Sequence, residues 1–155
     1  MFFRKVFLVI LMLMNGDKRA RFLKRINYFG AQGDGCYFQP YNFGTEPELI
    51  YFGNNVVLAS QVMFINHDIT STFFNKMENV NKYKKRTGAI HIGNNVFIGA
   101  RSMILYDVKI GNNVIVGAGS LVNRDIPDGS VVAGIPARVI GRFDEYKEKI
   151  YSKDF

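Results

Sequence analysis

The sequence predicts an all-β fold, a three-sided parallel β-helix with one protruding loop and short helices at its two ends. Three observations carry this. Stepping by six from Ile92 gives Ile92, Ile98, Ile104, Ile110, Val116 and Val122, all aliphatic. Isoleucine, leucine and valine make up 37 of the 155 residues. Six such residues at one phase therefore arise by chance about once in five thousand draws, or about once in nine hundred over six phases. The fifth residues of the same hexads, Val96, Ser102, Val108, Val114, Ser120 and Ile126, are all small or β-branched. The string Gly-Asn-Asn-Val recurs at Gly53, Gly93 and Gly111. A period of six fits neither a helix nor a simple alternating strand. It suits short strands joined by regular corners, three to a coil, with coils stacked about 4.8 Å apart. The first residue of each hexad then points into the prism and the fifth fills the space beside it. Glycine and asparagine at the corners accept backbone angles that larger residues resist.

From the N-terminus, residues 1–35 read as a helical segment. Val6 to Met14 is an apolar run of nine behind Arg4 and Lys5. It is too short to span a bilayer, and Asn15 to Arg19 offers no small-residue cleavage site. Packing on the body or on a neighbouring subunit is one reading. Contact of residues 1–25 with an anionic membrane face is the other. Asp17 stands where it would cap a helix over Lys18 to Asn27. Residues 36–140 form the prism. Its upstream hexads begin at Phe52, Leu58 and Phe64, and the frame then resumes 22 residues late at Ile92. A loop excursion over 68–89 closes the gap and hands the inward fifth position to Ile90. An insertion of this length without a repeat points to function. Pro127-Asp128-Gly129 ends the strict series, and residues 141–155 read as a helical tail, with a helix over Arg142 to Lys153.

Charge and composition exclude several classes. Residues 1–25 carry seven basic side chains against Asp17 alone, whereas the other 130 residues carry thirteen basic and twelve acidic groups. The prism is thus close to neutral, which argues against nucleic acid as a partner. The single cysteine, Cys36, excludes an intrachain disulfide and reads as an inert buried thiol. Two histidines, His67 and His91, fall short of a three-histidine zinc site, so no metal is expected.

Residues 92–141, IGNNVFIGARSMILYDVKIGNNVIVGAGSLVNRDIPDGSVVAGIPARVIG, resemble the C-terminal half of hexapeptide O-acetyltransferases, the maltose, galactoside, capsule and lipopolysaccharide enzymes among them. Residues 46–68, EPELIYFGNNVVLASQVMFINHD, resemble the first coil and catalytic histidine of the polysaccharide-associated members. The resemblance implies coils of left-handed sense, against the usual crossover preference. It also implies a homotrimer with sites between subunits, acetyl-CoA as co-substrate, and a sugar or glycan-precursor acceptor in cytoplasmic surface-polysaccharide synthesis, at the inner face of the membrane if residues 1–25 rest there.

By position, the resemblance makes His67 the general base, a role that suits an imidazole near neutrality. Asp68 is a candidate to orient the ring or hold the acceptor. Ala100 and Ala118 match the small residues that admit the pantetheine arm. Asn123 and Arg124 stand where Thr-Lys is common, Arg138 matches a phosphate-binding base, and Arg142 stands near it. Gln39, Tyr41 and Asn42 are candidates for the acceptor side, and His91 is a lesser participant near His67. Lys82 to Arg86 reads as a solvated basic loop or a contact for phosphates. Two other functions share the pattern: N-acylation of an amino-sugar nucleotide, and a non-catalytic scaffold.

Overall fold

The computed structural model describes residues 2–152, with side chains from Val6 onward. Met1 and residues 153–155, including the expected helix end at Lys153, lie outside the described residues. Two helices, α1 (Phe2–Met12) and α2 (Gly16–Arg25), cap the N-terminal end of the prism. The N-cap of α2 is Asn15, whose side chain accepts from the Lys18 N–H at 2.9 Å. Asp17, expected as the cap, lies instead in the first turn, where its charge favours the helix dipole. Arg19 is buried in α2, and its guanidinium donates to the carbonyls of Leu11, Met14, Phe38 and Gln39 at 2.6–2.9 Å. That fan of bonds ties the helical cap to the first coil.

The opening coil holds β1 (Ala31–Gln32) and β2 (Tyr37–Phe38), so pairing begins at Ala31, ahead of the boundary expected at 36. The first full coil holds β3 (Ile50–Phe52), β4 (Val56–Leu58) and β5 (Met63–Ile65). The excursion follows as β6 (His67–Asp68), α3 (Thr70–Glu78) and β7 (Arg86–Thr87). The prism resumes with β8 (Ile90–Ile92), β9 (Val96–Ile98) and β10 (Met103–Leu105), then β11 (Lys109–Ile110), β12 (Val114–Val116) and β13 (Leu121–Val122). The chain ends in β14 (Ser130–Gly134), β15 (Ala137–Arg142) and α4 (Phe143–Ser152). Three sheets make the sides, ordered β1-β3-β8-β11, β2-β4-β9-β12-β14-β15 and β5-β10-β13. Every pairing among them is parallel except the hairpin β14–β15.

The six-residue frame survives intact. Ile92, Ile98, Ile104, Ile110, Val116 and Val122 are all buried, as are the fifth residues from Val96 to Ile126. Ile90 is fully buried and registers with Ile50 across the excursion, as the spliced frame requires. Toward the N-terminal end, rings fill the prism instead: Phe29, Phe38, Phe43, Phe52 and Phe64 meet mostly edge to face. The fourth residue of most hexads takes the left-handed backbone region, as at Asn55 (φ 54°), Asn95 (φ 55°), Arg101 (φ 61°), Asp107 (φ 59°) and Asn113 (φ 53°). Asn54, Asn94 and Asn112 stack into a side-chain ladder, each backbone N–H donating to the carboxamide or carboxylate of the coil above, ending at Asp128. A Cβ on Gly53 would lie 2.6 Å from the Gly93 carbonyl oxygen, which explains glycine at that corner.

Two expectations need correction. The excursion is not structureless but carries a nine-residue helix on a two-stranded stem. Beyond Gly129, β14 adds a further parallel strand to β12 before β15 turns back. Arg142 ends that returning strand and the helix starts one residue later. Cys36 is buried, and burial pushes its thiol pKa up, as an inert thiol requires.

Candidate functional site

The corners of the coils stack into three edges. Gly-Asn-Asn corners form one. Ala59-Ser60-Gln61, Gly99-Ala100-Arg101 and Gly117-Ala118-Gly119 form a second, the small-residue edge. Asn66-His67, Tyr106-Asp107 and Arg124-Asp125 form the third, the histidine edge.

At the histidine edge the excursion leaves and returns through a clasp at Asn66. The Gly88 N–H donates to the Asn66 carbonyl at 2.8 Å, and the buried Asn66 side chain donates to the Gly88 carbonyl at 3.2 Å. Directly beyond the clasp, His67 pairs with Thr87 and Asp68 with Arg86. Arg86 reaches back to Asp107 at 3.1 Å and lies over the Tyr106 ring, seating the stem on the next coil. His67 is thus held on a stem braced from both strands, with its side chain 28% exposed.

The ring is oriented by Glu46, not by its neighbour in sequence. His67 Nδ1 lies 2.8 Å from Glu46 Oε2. The same oxygen accepts from the Thr45 hydroxyl at 2.5 Å, and Glu46 Oε1 accepts from the Lys85 ammonium at 2.8 Å. Partial burial alone would raise the Glu46 pKa, but the bonds from Lys85, Thr45 and His67 outweigh it and bring the carboxyl down to about 2. An ionised carboxylate only accepts, so Nδ1 carries the proton and Nε2 is left with the free lone pair. The arrangement can therefore take a proton at Nε2 while Glu46 stabilises the imidazolium that forms.

Asp68 turns elsewhere: its carboxylate accepts from the Thr70 N–H at 2.7 Å at the start of α3, and that bond leads in lowering its pKa. His91 points outward from β8 and stacks on Tyr51 at 4.5 Å. Of the basic loop, Lys82 pairs with Glu78, Lys85 with Glu46 and Arg86 with Asp107.

Ser60, Gln61, Ala100, Arg101, Ala118 and Gly119 line an open groove of about 680 Å³ at the small-residue edge. A second hollow adjoins it through Ser60, Gln61 and Arg101, and Gln39, Tyr41 and Asn42 line its far wall. Arg138 registers with Ala133, whose Cβ lies 3.0 Å from where a Gly117 Cβ would stand, so its strand position adjoins this edge. Asn123 and Arg124 lie on the histidine edge, exposed and two coils from His67. Arg142 registers with Ser130 at the asparagine edge and contacts Glu145 at 3.9 Å. Within one chain, then, His67 and the Ala100–Ala118 groove stand one prism side apart, roughly 15 Å by strand rise. The side between them is β5-β10-β13, whose outward residues Met63, Ile65, Met103, Leu105 and Leu121 are apolar and at least partly exposed.

Glu46 and Arg101 escaped the sequence reading. The offset from β1 to β3, Ala31 to Tyr51, places the residue below His67 near position 47, so one coil's step backward was the signal that finds Glu46. Arg101 sits between Ala100 and an inward serine, and only the hollow it walls reveals it.

Residues 89–124 match the family model described as bacterial transferase hexapeptide (six repeats). The protein CapG of Staphylococcus aureus is 44% identical over 132 residues, covering 81% of this chain and 74% of that protein. Among solved structures, a maltose O-acetyltransferase from Clostridium difficile superposes with a TM-score of 0.58 at 25% identity, over 89% of this chain and 83% of that one. A galactoside acetyltransferase in complex with coenzyme A gives 0.61 at 25% identity, over 93% and 80%. Among the described residues no group of histidine, cysteine and carboxylate side chains is placed to hold a metal. The chain belongs to the hexapeptide-repeat family of bacterial transferases and is an acyltransferase.

Proposed function

We propose that the protein is an acetyl-CoA-dependent O-acetyltransferase that acetylates a sugar hydroxyl in surface-polysaccharide synthesis, with His67 as general base. The observation that carries this is the His67–Glu46 pair at the root of the excursion. Nε2 takes the hydroxyl proton as the sugar oxygen attacks the thioester carbonyl. The carbon–sulfur bond then breaks, and the proton returns from the imidazolium to the departing thiolate. The thioester is already activated, so no nucleophile of the protein is consumed. A groove lined in part by the small residues Ala100, Ala118 and Gly119 has room for a narrow pantetheine arm. Arg101 on its wall and Arg138 beside it supply guanidinium groups suited to phosphate. Coenzyme A in the galactoside acetyltransferase supports that reading.

The same reading makes the coils left-handed and the protein a cytoplasmic homotrimer. The apolar side β5-β10-β13 supports the assembly. Packed between protomers, it brings the histidine edge of one chain to the small-residue edge of the next. Asn123, Arg124 and Arg142 are further contacts for the co-substrate in this reading. Asp68 and the hollow lined by Gln39, Tyr41 and Asn42 serve the acceptor.

The test is purified protein with acetyl-CoA against a panel of sugars, amino sugars and glycan precursors, following thiol release. A sugar alcohol should be the acceptor, and His67→Ala should lower turnover by about two to four orders of magnitude with fold and CoA affinity intact. Unchanged turnover removes His67 as base. Acetylation confined to amino groups replaces the oxygen acceptor with a nitrogen one.

A further inference from the structure

We infer that the helical cap docks the molecule onto an anionic lipid bilayer, through the outer face of α1 and the basic side of α2. The cap divides its apolar residues in two. Leu11 is fully buried, and Phe7, Phe22 and Tyr28 pack against the core. On the opposite face of α1 and the turn after it, Val6, Val9, Ile10, Met12 and Leu13 are 42%, 54%, 43%, 54% and 83% exposed. These positions fall on one side of a helical wheel, so the prism leaves a whole apolar stripe in water. Packing of α1 on the body accounts for one face only.

The charge around the stripe selects the occupant. Residues 1–25 hold seven basic side chains and one acidic one. Arg19 is consumed in the cap and Lys24 pairs with Asp34 at 2.5 Å, but Lys18, Arg21 and Arg25 are exposed. An apolar helix face on a cap whose second helix exposes cations fits the headgroup boundary of an anionic leaflet, where acyl chains take the stripe and phosphates meet the cations. No described helix is long and apolar enough to cross a membrane, so α1 lies in the interface plane. His67 follows the first full coil, which lies one coil beyond the opening coil that meets this cap.

The experiment is cosedimentation of the full chain with vesicles, which needs no knowledge of substrate or activity. Phosphatidylcholine vesicles with about a third phosphatidylglycerol should bind the protein, and pure phosphatidylcholine should not. Raising salt should release it. Arg21→Glu with Arg25→Glu should weaken binding by about fivefold or more per site. Val9→Asp with Leu13→Asp should weaken it about tenfold or more, with melting temperature and circular dichroism unchanged because both residues are exposed. Equal binding to both vesicle types, no binding to either, or binding indifferent to Val9→Asp with Leu13→Asp overturns the proposal. So does light scattering in which that pair of substitutions shrinks the assembly, since the stripe would then be a contact between chains.

Discussion

Glu46 accepts three hydrogen bonds on one carboxylate, from Thr45, His67 and Lys85, and two of them come from the excursion. Glu46→Gln keeps the shape but removes the charge that would stabilise an imidazolium. Turnover should fall by about tenfold to a hundredfold with little change in the apparent affinity for acetyl-CoA. A change in that affinity alone would place Glu46 outside proton transfer. Lys85→Met should give a smaller loss, because it removes one of the bonds that hold the Glu46 carboxylate against the ring. Stability supplies an independent check. The folded carboxyl titrates at about 2 against an ordinary 4.5, so its contribution is present above about pH 4.5 and is lost as pH falls toward 2. The melting temperature of Glu46→Gln should therefore drop less than that of the unaltered protein across that window. The contact between His67 and Glu46 was not legible, for a physical reason. His67 stands where the six-residue frame breaks and is singled out by the resemblance, whereas Glu46 meets it only because coils stack, and Asp68, its neighbour in sequence, is drawn to the first turn of α3.

The strands and corners were readable because each coil repeats the same contacts, so one side-chain rule recurs every six residues and errors average out. What stood outside the repeat was not. The start of α2 turned on whether Asn15, which accepts from the Lys18 N–H, or Asp17 caps the helix, a choice of two similar caps. The helix α3 buries only Ser71 among its residues and therefore wrote no clear apolar stripe toward the core. The strand β15 pairs antiparallel and leaves Arg138, Val139 and Ile140 exposed, so it lacks the inward residues that marked the others. The repeat's own physics is open to measurement at a corner. Asn95 sits at φ 55° and its side chain joins the ladder between Asn55 and Asn113. Asn95→Ala should cost about 1–2 kcal/mol in urea unfolding, from left-handed backbone strain together with the two lost ladder bonds. Asn95→Gly relieves the strain, so it should cost less; equal losses would assign the whole effect to the ladder. In the core, Ile98→Ala should cost about 2–5 kcal/mol, since Ile98 is fully buried between β4 and β12.

At the scale of the whole molecule the decisive fact is that one chain carries the histidine and the small-residue groove on different edges, with an apolar side between them. In the proposed homotrimer, packing through that side would turn the separation into a site shared by two chains, and that sharing would have a measurable consequence. Ala118 is exposed at its corner, so Ala118→Phe fills the groove without entering the core. Each homogeneous variant, His67→Ala or Ala118→Phe, should be nearly inactive. Unfolded and refolded together in equal amounts, they form mixed trimers in which some interfaces join an intact histidine edge to an intact groove. With random assortment and a cyclic head-to-tail interface, about a quarter of the sites are whole, so activity should return to about a quarter of the unaltered level. Recovery depends on mixing before assembly, and combining the two variants already folded should restore nothing at first. If co-refolded mixtures stay inactive while each variant still forms trimers, the histidine and the groove must serve the same site from within one chain, and the shared-interface arrangement fails.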